Sequence, residues 1–242
     1  MEDIRRDTMT LPDTLRGEYY SSIPTKIEEQ LDQAFTSSKG PGSKPFLERD
    51  NETIPGMVVP LYPYSYSAPC AAWAYLELSK HKKPDTFIIL GTTERDEIIT
   101  TTETFTTPLD YVRVDTEFAQ HLRQQEGHNV VEETQPLIDT HFIQSQLPLL
   151  QYTFKHSYEE IKILPLLLPK HKYNEASNLL ENAVVDLGRD VTILTPTNLT
   201  KYGAQYTFLP FTQNIPQSIE RLDKDLLQLL HRRKIDSFLT KI

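Results

Sequence analysis

The string Asp139-Thr140-His141-Phe142-Ile143-Gln144-Ser145-Gln146-Leu147-Pro148 holds the one histidine of this chain that sits in a patterned segment. A carboxylate close to an imidazole can orient the ring, and an oriented ring can move a proton or offer a nitrogen to a metal. Three other segments carry side chains suited to a polar pocket: Pro60-Leu61-Tyr62-Pro63-Tyr64-Ser65-Tyr66, Gly91-Thr92-Thr93-Glu94-Arg95-Asp96, and Thr195 to Gly203 with Asn198, Thr200 and Lys201. Each has a plainer reading as well. Asp139 and His141 read best as a hydrogen-bonded pair capping a helix that begins near Phe142. Glu94, Arg95 and Asp96 read as a solvated turn, and Tyr62, Tyr64 and Tyr66 as core and rim packing of an extended segment. Cys70, in an Ala-rich stretch, reads as an inert buried thiol. His81, His121, His128, His156, His171 and His231 show no ligand spacing and read as surface residues.

Elements that would position these loops follow from the apolar pattern. Gly56–Pro60, Thr86–Gly91, Ile161–Leu166 and Val191–Thr195 are short, β-branched or leucine-rich runs bounded by Gly, Pro or polar residues, as doubly covered parallel strands are. Helical patterns occupy Ala68–His81, Thr116–Glu126, Ile143–Phe154, Glu175–Leu187 and Pro216–Leu230. Alternating strands and helices predict an α/β fold, a single three-layer domain over 1–242 with a mostly parallel central sheet covered by helices. In such sheets ligands bind beyond the carboxyl ends of the strands, where the four segments fall. Thr36 to Glu52 has no period and reads as an exposed loop.

Composition removes several function classes. A formal net charge of −9 argues against nucleic acid as a partner. A single cysteine leaves no internal disulfide and no multi-cysteine zinc site. The opening MEDIRRDTMT has no apolar leader and no run reaches a membrane span, so a cytoplasmic location without a membrane partner is expected. With 8 glycines there is no Gly-x-Gly-x-x-Gly, no Walker loop and no Gly-x-Ser-x-Gly. A Ser-His-Asp arrangement on His141 and Asp139 stays open, and no serine is singled out.

Seven segments in order carry a resemblance. Arg16-Gly17-Glu18-Tyr19-Tyr20 with the helix from Pro24 to Phe35, Pro60–Tyr66 with Cys70–Tyr75, Ile88–Gly91, Thr106-Thr107-Pro108-Leu109-Asp110-Tyr111-Val112-Arg113-Val114-Asp115, Asp139–Pro148, Ile163–Leu167 and Thr197–Gly203 resemble the Memo family. That family is similar in fold to the class III extradiol dioxygenases. The resemblance implies a metal pocket supplied by a histidine after the first strand, a histidine after the second and a residue of the last loop. This chain has Leu61, Glu94, and Thr200 with Lys201 at those places. The family's carboxylates are replaced by Thr140, Gln144 and Asn198, leaving Asp139 and His141.

Leucine cannot ligate a metal, and a lysine adds positive charge where a dication would sit. The expectation is a family member with a degenerate metal site, no metal or other cofactor and no catalytic residues. It would act as a non-catalytic binding or scaffold protein for an unidentified protein or peptide ligand. Its pocket would comprise Leu61, Tyr64, Glu94, Asp139, His141, Gln144, Asn198, Thr200 and Lys201. The alternative is an iron- or copper-dependent oxidase using Glu94, His141 and Asp139 as a rearranged set. Family members continue past the helix at Pro216–Leu230, so those C-terminal elements are either dispensable here or lie beyond a fragment. Their loss would expose a sheet edge, and a homodimer is expected from that edge.

Overall fold

A computed structural model describes residues 10–127, 129–156 and 160–240, so His128 lies outside the described residues. Two compact units are present, one ending at Thr197 and one starting at Asn198.

The first unit carries the sheet. Its strands are β1 (Thr10–Leu11), β2 (Gly56–Pro60), β3 (Thr86–Thr93), β4 (Ile98–Thr100), β5 (Thr104–Thr106), β6 (Tyr111–Val114), β7 (Val130–Glu132), β8 (Lys162–Pro169) and β9 (Val191–Thr197). Its helices are α1 (Pro24–Thr36), α2 (Tyr64–Ser79), α3 (Thr116–Gln124), α4 (Gln135–Asp139), α5 (Leu147–Thr153) and α6 (Tyr173–Leu187). Strand order is β1-β5-β6-β8-β3-β9-β2, with β4 between β7 and the far end of β8. Pairings are parallel except β5 with β6 and β4 with β8. Helices α1, α2 and α5 pack together, as do α3 and α6, and α2, α3 and α6 also touch strands. The α/β architecture with a mostly parallel, helix-flanked sheet is therefore as the sequence predicts.

Central β3 and β8 read as continuous apolar runs because both their faces are covered. Pro165 interrupts β8 without breaking it. Strand β6 pairs with β8 at Lys162 and Ile163, and β4 pairs at Leu167, so Pro165 falls in the gap between them. No ladder N–H is required there. Its carbonyl on that side accepts from Thr100 Oγ1 at 2.9 Å.

The continuous helix expected over Ile143–Phe154 is corrected. Gln144–Gln146 form a 3₁₀ turn, and α5 starts at Leu147 with Pro148 in its first turn. Proline lacks the N–H that a helix interior needs and is suited to the first turn, so the α-helix restarts there. No element forms between α1 and β2, as expected of Thr36 to Glu52.

The second unit holds a short bridge between Gly203 and Phe208, helix α7 (Ile215–His231) and helix α8 (Ile235–Leu239). Tyr202 stacks on Phe211 with ring centroids 5.5 Å apart, and its hydroxyl donates to the Phe211 carbonyl at 2.5 Å. Arg232, Arg233 and Lys234 are exposed after α7, a solvated helix end. Among the described residues no helix is long and apolar enough to cross a membrane.

Candidate functional site

The segment around His141 is placed by packing on either side of it. Gly91 in β3 has no room for a Cβ, which would meet the Phe142 ring at 2.7 Å and Leu167 at 2.6 Å. Glycine there lets Phe142 settle on the strand, fixing the backbone that carries His141. On the other side, the turn Leu15–Tyr20 closes through Gly17 N–H to the Tyr20 carbonyl at 2.7 Å and Tyr19 N–H to the Leu15 carbonyl at 2.9 Å. Gly17 supplies the φ of +86° that this turn requires. The turn is tied to α2 by Tyr64 N–H, which donates to the Tyr19 carbonyl at 2.8 Å.

These two segments meet at one pair. The Tyr19 hydroxyl is hydrogen-bonded to His141 Nδ1, and the rings lie edge to face with centroids 4.6 Å apart. Burial raises the Tyr19 phenol's pKa, with Glu18 and then Tyr62 adding to the shift, so the hydroxyl keeps its proton. With Nδ1 engaged, Nε2 is the ring's remaining nitrogen. Tyr19→Phe is expected to change the His141 imidazole resonances in a proton–nitrogen NMR spectrum. Unfolding stability should move by no more than about 1 kcal/mol, because Tyr19 is only half-buried, His141 is exposed, and a typical hydrogen bond is worth that much.

Asp139 does not orient this ring. It is the last residue of α4, and its Oδ1 accepts from Gln135 Nε2 at 2.7 Å, one turn back on its own helix. The helix it serves precedes the histidine. Glu94 lies past the end of β3, which runs on to Thr93, with its side chain 84% exposed and paired to Lys170 Nζ. Arg95 turns away to Glu97 and Glu133, so this segment is the solvated turn that its composition suggests. Leu61 is half-buried after β2, its N–H donating to the Thr197 carbonyl at 3.1 Å.

Tyr64 and Gln144 belong to the core rather than to an open pocket, a correction of the sequence expectation. Tyr64 is 4% exposed and its hydroxyl donates to the Ser145 carbonyl at 2.8 Å. Gln144 is 1% exposed; its Oε1 accepts from Thr14 Oγ1 at 2.7 Å and its Nε2 donates to the Pro12 carbonyl at 2.8 Å. Neighbouring Gln146 accepts from Tyr75 at 2.9 Å and donates to Ser145 Oγ at 2.9 Å. The polar run is thus a satisfied internal bracket. Asn198, Thr200 and Lys201 lie in the second unit. There Thr200 N–H donates to Asp223 Oδ1 at 3.0 Å, and Lys201 Nζ sits 5.8 Å from the Tyr206 ring centroid.

Tyr19 is the partner that the sequence does not single out. Its only signal is the Arg-Gly-Glu-Tyr-Tyr string, where a glycine before paired tyrosines marks a tight turn. Cys70 is also corrected, because it is exposed. Helix α2 turns Ala68, Ala71, Ala72 and Tyr75 inward, which leaves Tyr66, Cys70 and Trp73 facing out.

Comparison with known proteins settles the lineage. The family model described as "Memo-like protein" matches residues 12–242. The chain belongs to the Memo family. Among its relatives, a MEMO1 family protein of Methanopyrus kandleri is 27% identical over 228 residues, covering 90% of this chain and 79% of the relative. Those of Ignicoccus hospitalis and Sulfolobus acidocaldarius are each 29% identical, again across 90% of this chain and 78% and 80% of their own lengths. At the places where the Memo resemblance implies histidine ligands, this member offers Leu61 without a donor atom and a Glu94 already held by a lysine. Among the described residues, no three His, Cys, Asp or Glu side chains group as a metal would need.

Proposed function

We propose that this Memo-family protein is a non-catalytic binding or scaffold protein that works without a metal centre. The observation carrying this reading is the fate of the donors around His141. One imidazole nitrogen is bound to Tyr19, Asp139 points to Gln135, and Glu94 pairs with Lys170. A redox metal held by a facial triad needs two imidazoles and a carboxylate converging from one side. Here a single nitrogen, Nε2 of His141, is left to offer.

Protein purified without an affinity tag and titrated with ferrous iron and with copper is expected to bind neither stoichiometrically. Stoichiometric metal that His141→Ala removes would overturn the reading. The rearranged oxidase set of Glu94, His141 and Asp139 has a test of its own. It requires Glu94→Gln and His141→Ala each to lower metal content and oxygen consumption.

A further inference from the structure

Arg16, in the turn that carries Tyr19, is gripped from one side by a carboxylate that the fold has already fixed. Asp13 Oδ1 accepts from the Tyr20 hydroxyl at 2.8 Å and from the Leu15 amide at 3.2 Å, and both of these residues are buried. Its Oδ2 is buried without a hydrogen-bond partner and lies 3.6 Å from Arg16 Nε. The Asp13 side chain is 1% exposed, whereas that of Arg16 is 45% exposed. One edge of the guanidinium is thus committed to the protein. Its Nη1 and Nη2 hold no partner among the described residues.

Arg16 lines a cleft of about 320 Å³ together with the turn joining β5 to β6, from Thr106 through Pro108, Leu109 and Asp110 to Tyr111. The hydroxyls of this turn are spent internally. Thr106 Oγ1 donates to the Leu11 carbonyl at 2.7 Å, and Thr107 Oγ1 donates to Gln151 Oε1 at 2.6 Å while accepting the Leu109 and Asp110 amides. Besides the guanidinium, two side-chain groups remain. One is the exposed Asp110 carboxylate, of which Oδ1 alone is engaged, by the Tyr111 amide at 2.7 Å. The other is the phenol of Tyr111, which is 62% exposed. A ligand in the cleft therefore meets one positioned cation, one anion, and the apolar surface of Pro108, Leu109 and the Tyr111 ring.

We propose that this cleft binds a free α-amino acid with an apolar side chain, its carboxylate on the Arg16 fork and its ammonium on Asp110. Charge selects the class. An anion with no cationic group is opposed by Asp110, and an amine with no carboxylate is opposed by Arg16, so a simple ion of either sign is disfavoured. An α-amino acid carries both charges on one carbon. The guanidinium fork matches a carboxylate with two parallel N–H bonds, and Asp13 holds that fork before the ligand arrives, which lowers the ordering cost. Size agrees with the class, because small-molecule clefts run from about 300 to 1,000 Å³ and this one falls at the lower end. None of these residues belongs to the Tyr19–His141 pair, so the site stands whether or not a metal binds at that histidine.

The full chain is titrated with L-phenylalanine, and in parallel with 3-phenylpropanoate, which lacks the ammonium, and with phenethylamine, which lacks the carboxylate. Ligand-observed NMR reads the affinity, and the Arg16 side-chain N–H resonances report the place. L-Phenylalanine is expected to saturate and to shift those resonances, with each analogue about tenfold weaker. Arg16→Gln should weaken binding about tenfold and Asp110→Asn about fivefold, since exposed ion pairs are screened by solvent. Unchanged circular dichroism checks that both variants fold, and the analogue comparison uses the unaltered chain and needs neither. The proposal is overturned by no saturable response to L-phenylalanine, by an analogue that binds as tightly, or by parent-like affinity in folded Arg16→Gln.

Discussion

Asp115→Ala is expected to destabilise the protein by about 3 kcal/mol, more than any other single removal of a polar side chain in the fold. Asp115 is 4% exposed and serves three elements at once. Its Oδ1 caps α3 by accepting from Phe118 N–H at 3.2 Å. Its Oδ2 accepts from the fully buried Thr86 hydroxyl of β3 at 2.5 Å and lies 3.3 Å from Arg189 Nε, just past the end of α6. Alanine uncaps the helix, strands the Thr86 hydroxyl and removes the buried partner of a guanidinium. Losing a cap alone costs about 1 kcal/mol, and a stranded buried hydroxyl adds about 1–3 kcal/mol. Arg189 retains Glu117, which keeps the total at the lower end for a broken buried pair. Asp115→Asn keeps one acceptor oxygen, which can serve the cap at Phe118 while its amide nitrogen faces the Thr86 hydroxyl, so it should lose about half as much. Urea unfolding followed by far-ultraviolet circular dichroism, with an unchanged denaturant slope, measures both. Equal midpoints for Asp115→Ala and the parent would show that these bonds contribute nothing net.

This carboxylate also explains a motif. The string Thr106–Asp115 is a specific part of the Memo resemblance, and its hydrogen bonds give it a structural role. Thr107 Oγ1 accepts from the Leu109 and Asp110 amides at 3.0 and 3.2 Å, closing the turn between β5 and β6. Asp115 then starts α3. What identifies the family here is a fold device.

The strands that were legible, β2, β3, β8 and β9, are long apolar runs whose burial shows directly in composition. Strands β4 to β7 have three or four residues each, too short for a local period to announce them, and apart from the β5–β6 hairpin their pairing partners lie far along the chain. Within the site the difference is the same in kind. His141 stood out, but its partner Tyr19 lies 122 residues away, and proximity on the chain pointed instead to Asp139. Gln144 is expected in the pocket because burial of an amide depends on partners such as Pro12 and Thr14 that no sequence window contains. Cys70 resembled a core thiol because its Ala-rich surroundings describe the opposite side of the helix.

Gln144→Leu is expected to be the second most damaging change, by about 2–3 kcal/mol, since each buried polar group left without a partner costs about 1–3 kcal/mol. Leucine preserves volume but deserts the Pro12 carbonyl and the Thr14 hydroxyl. It would free the segment that leads to Tyr19, so the His141 resonances should broaden along with the loss of stability. Gln144→Glu tests the bracket more sharply, because it restores the residue type implied by the family. At 2.8 Å from the Pro12 carbonyl the amide donates, and an ionised carboxylate would place oxygen against oxygen there. A protonated carboxyl can still donate, so folding should raise this group's pKa above the unfolded value of about 4.3. The sign follows from linkage: the variant should approach parent stability below the unfolded pKa and lose it as pH rises through the folded one. Parent-like stability at neutral pH would mean that the bond to Pro12 is dispensable. The expected deficit would mean that a glutamate can return at this position only with a changed Pro12–Thr14 segment, which makes the loss of that carboxylate a matter of packing as much as of chemistry.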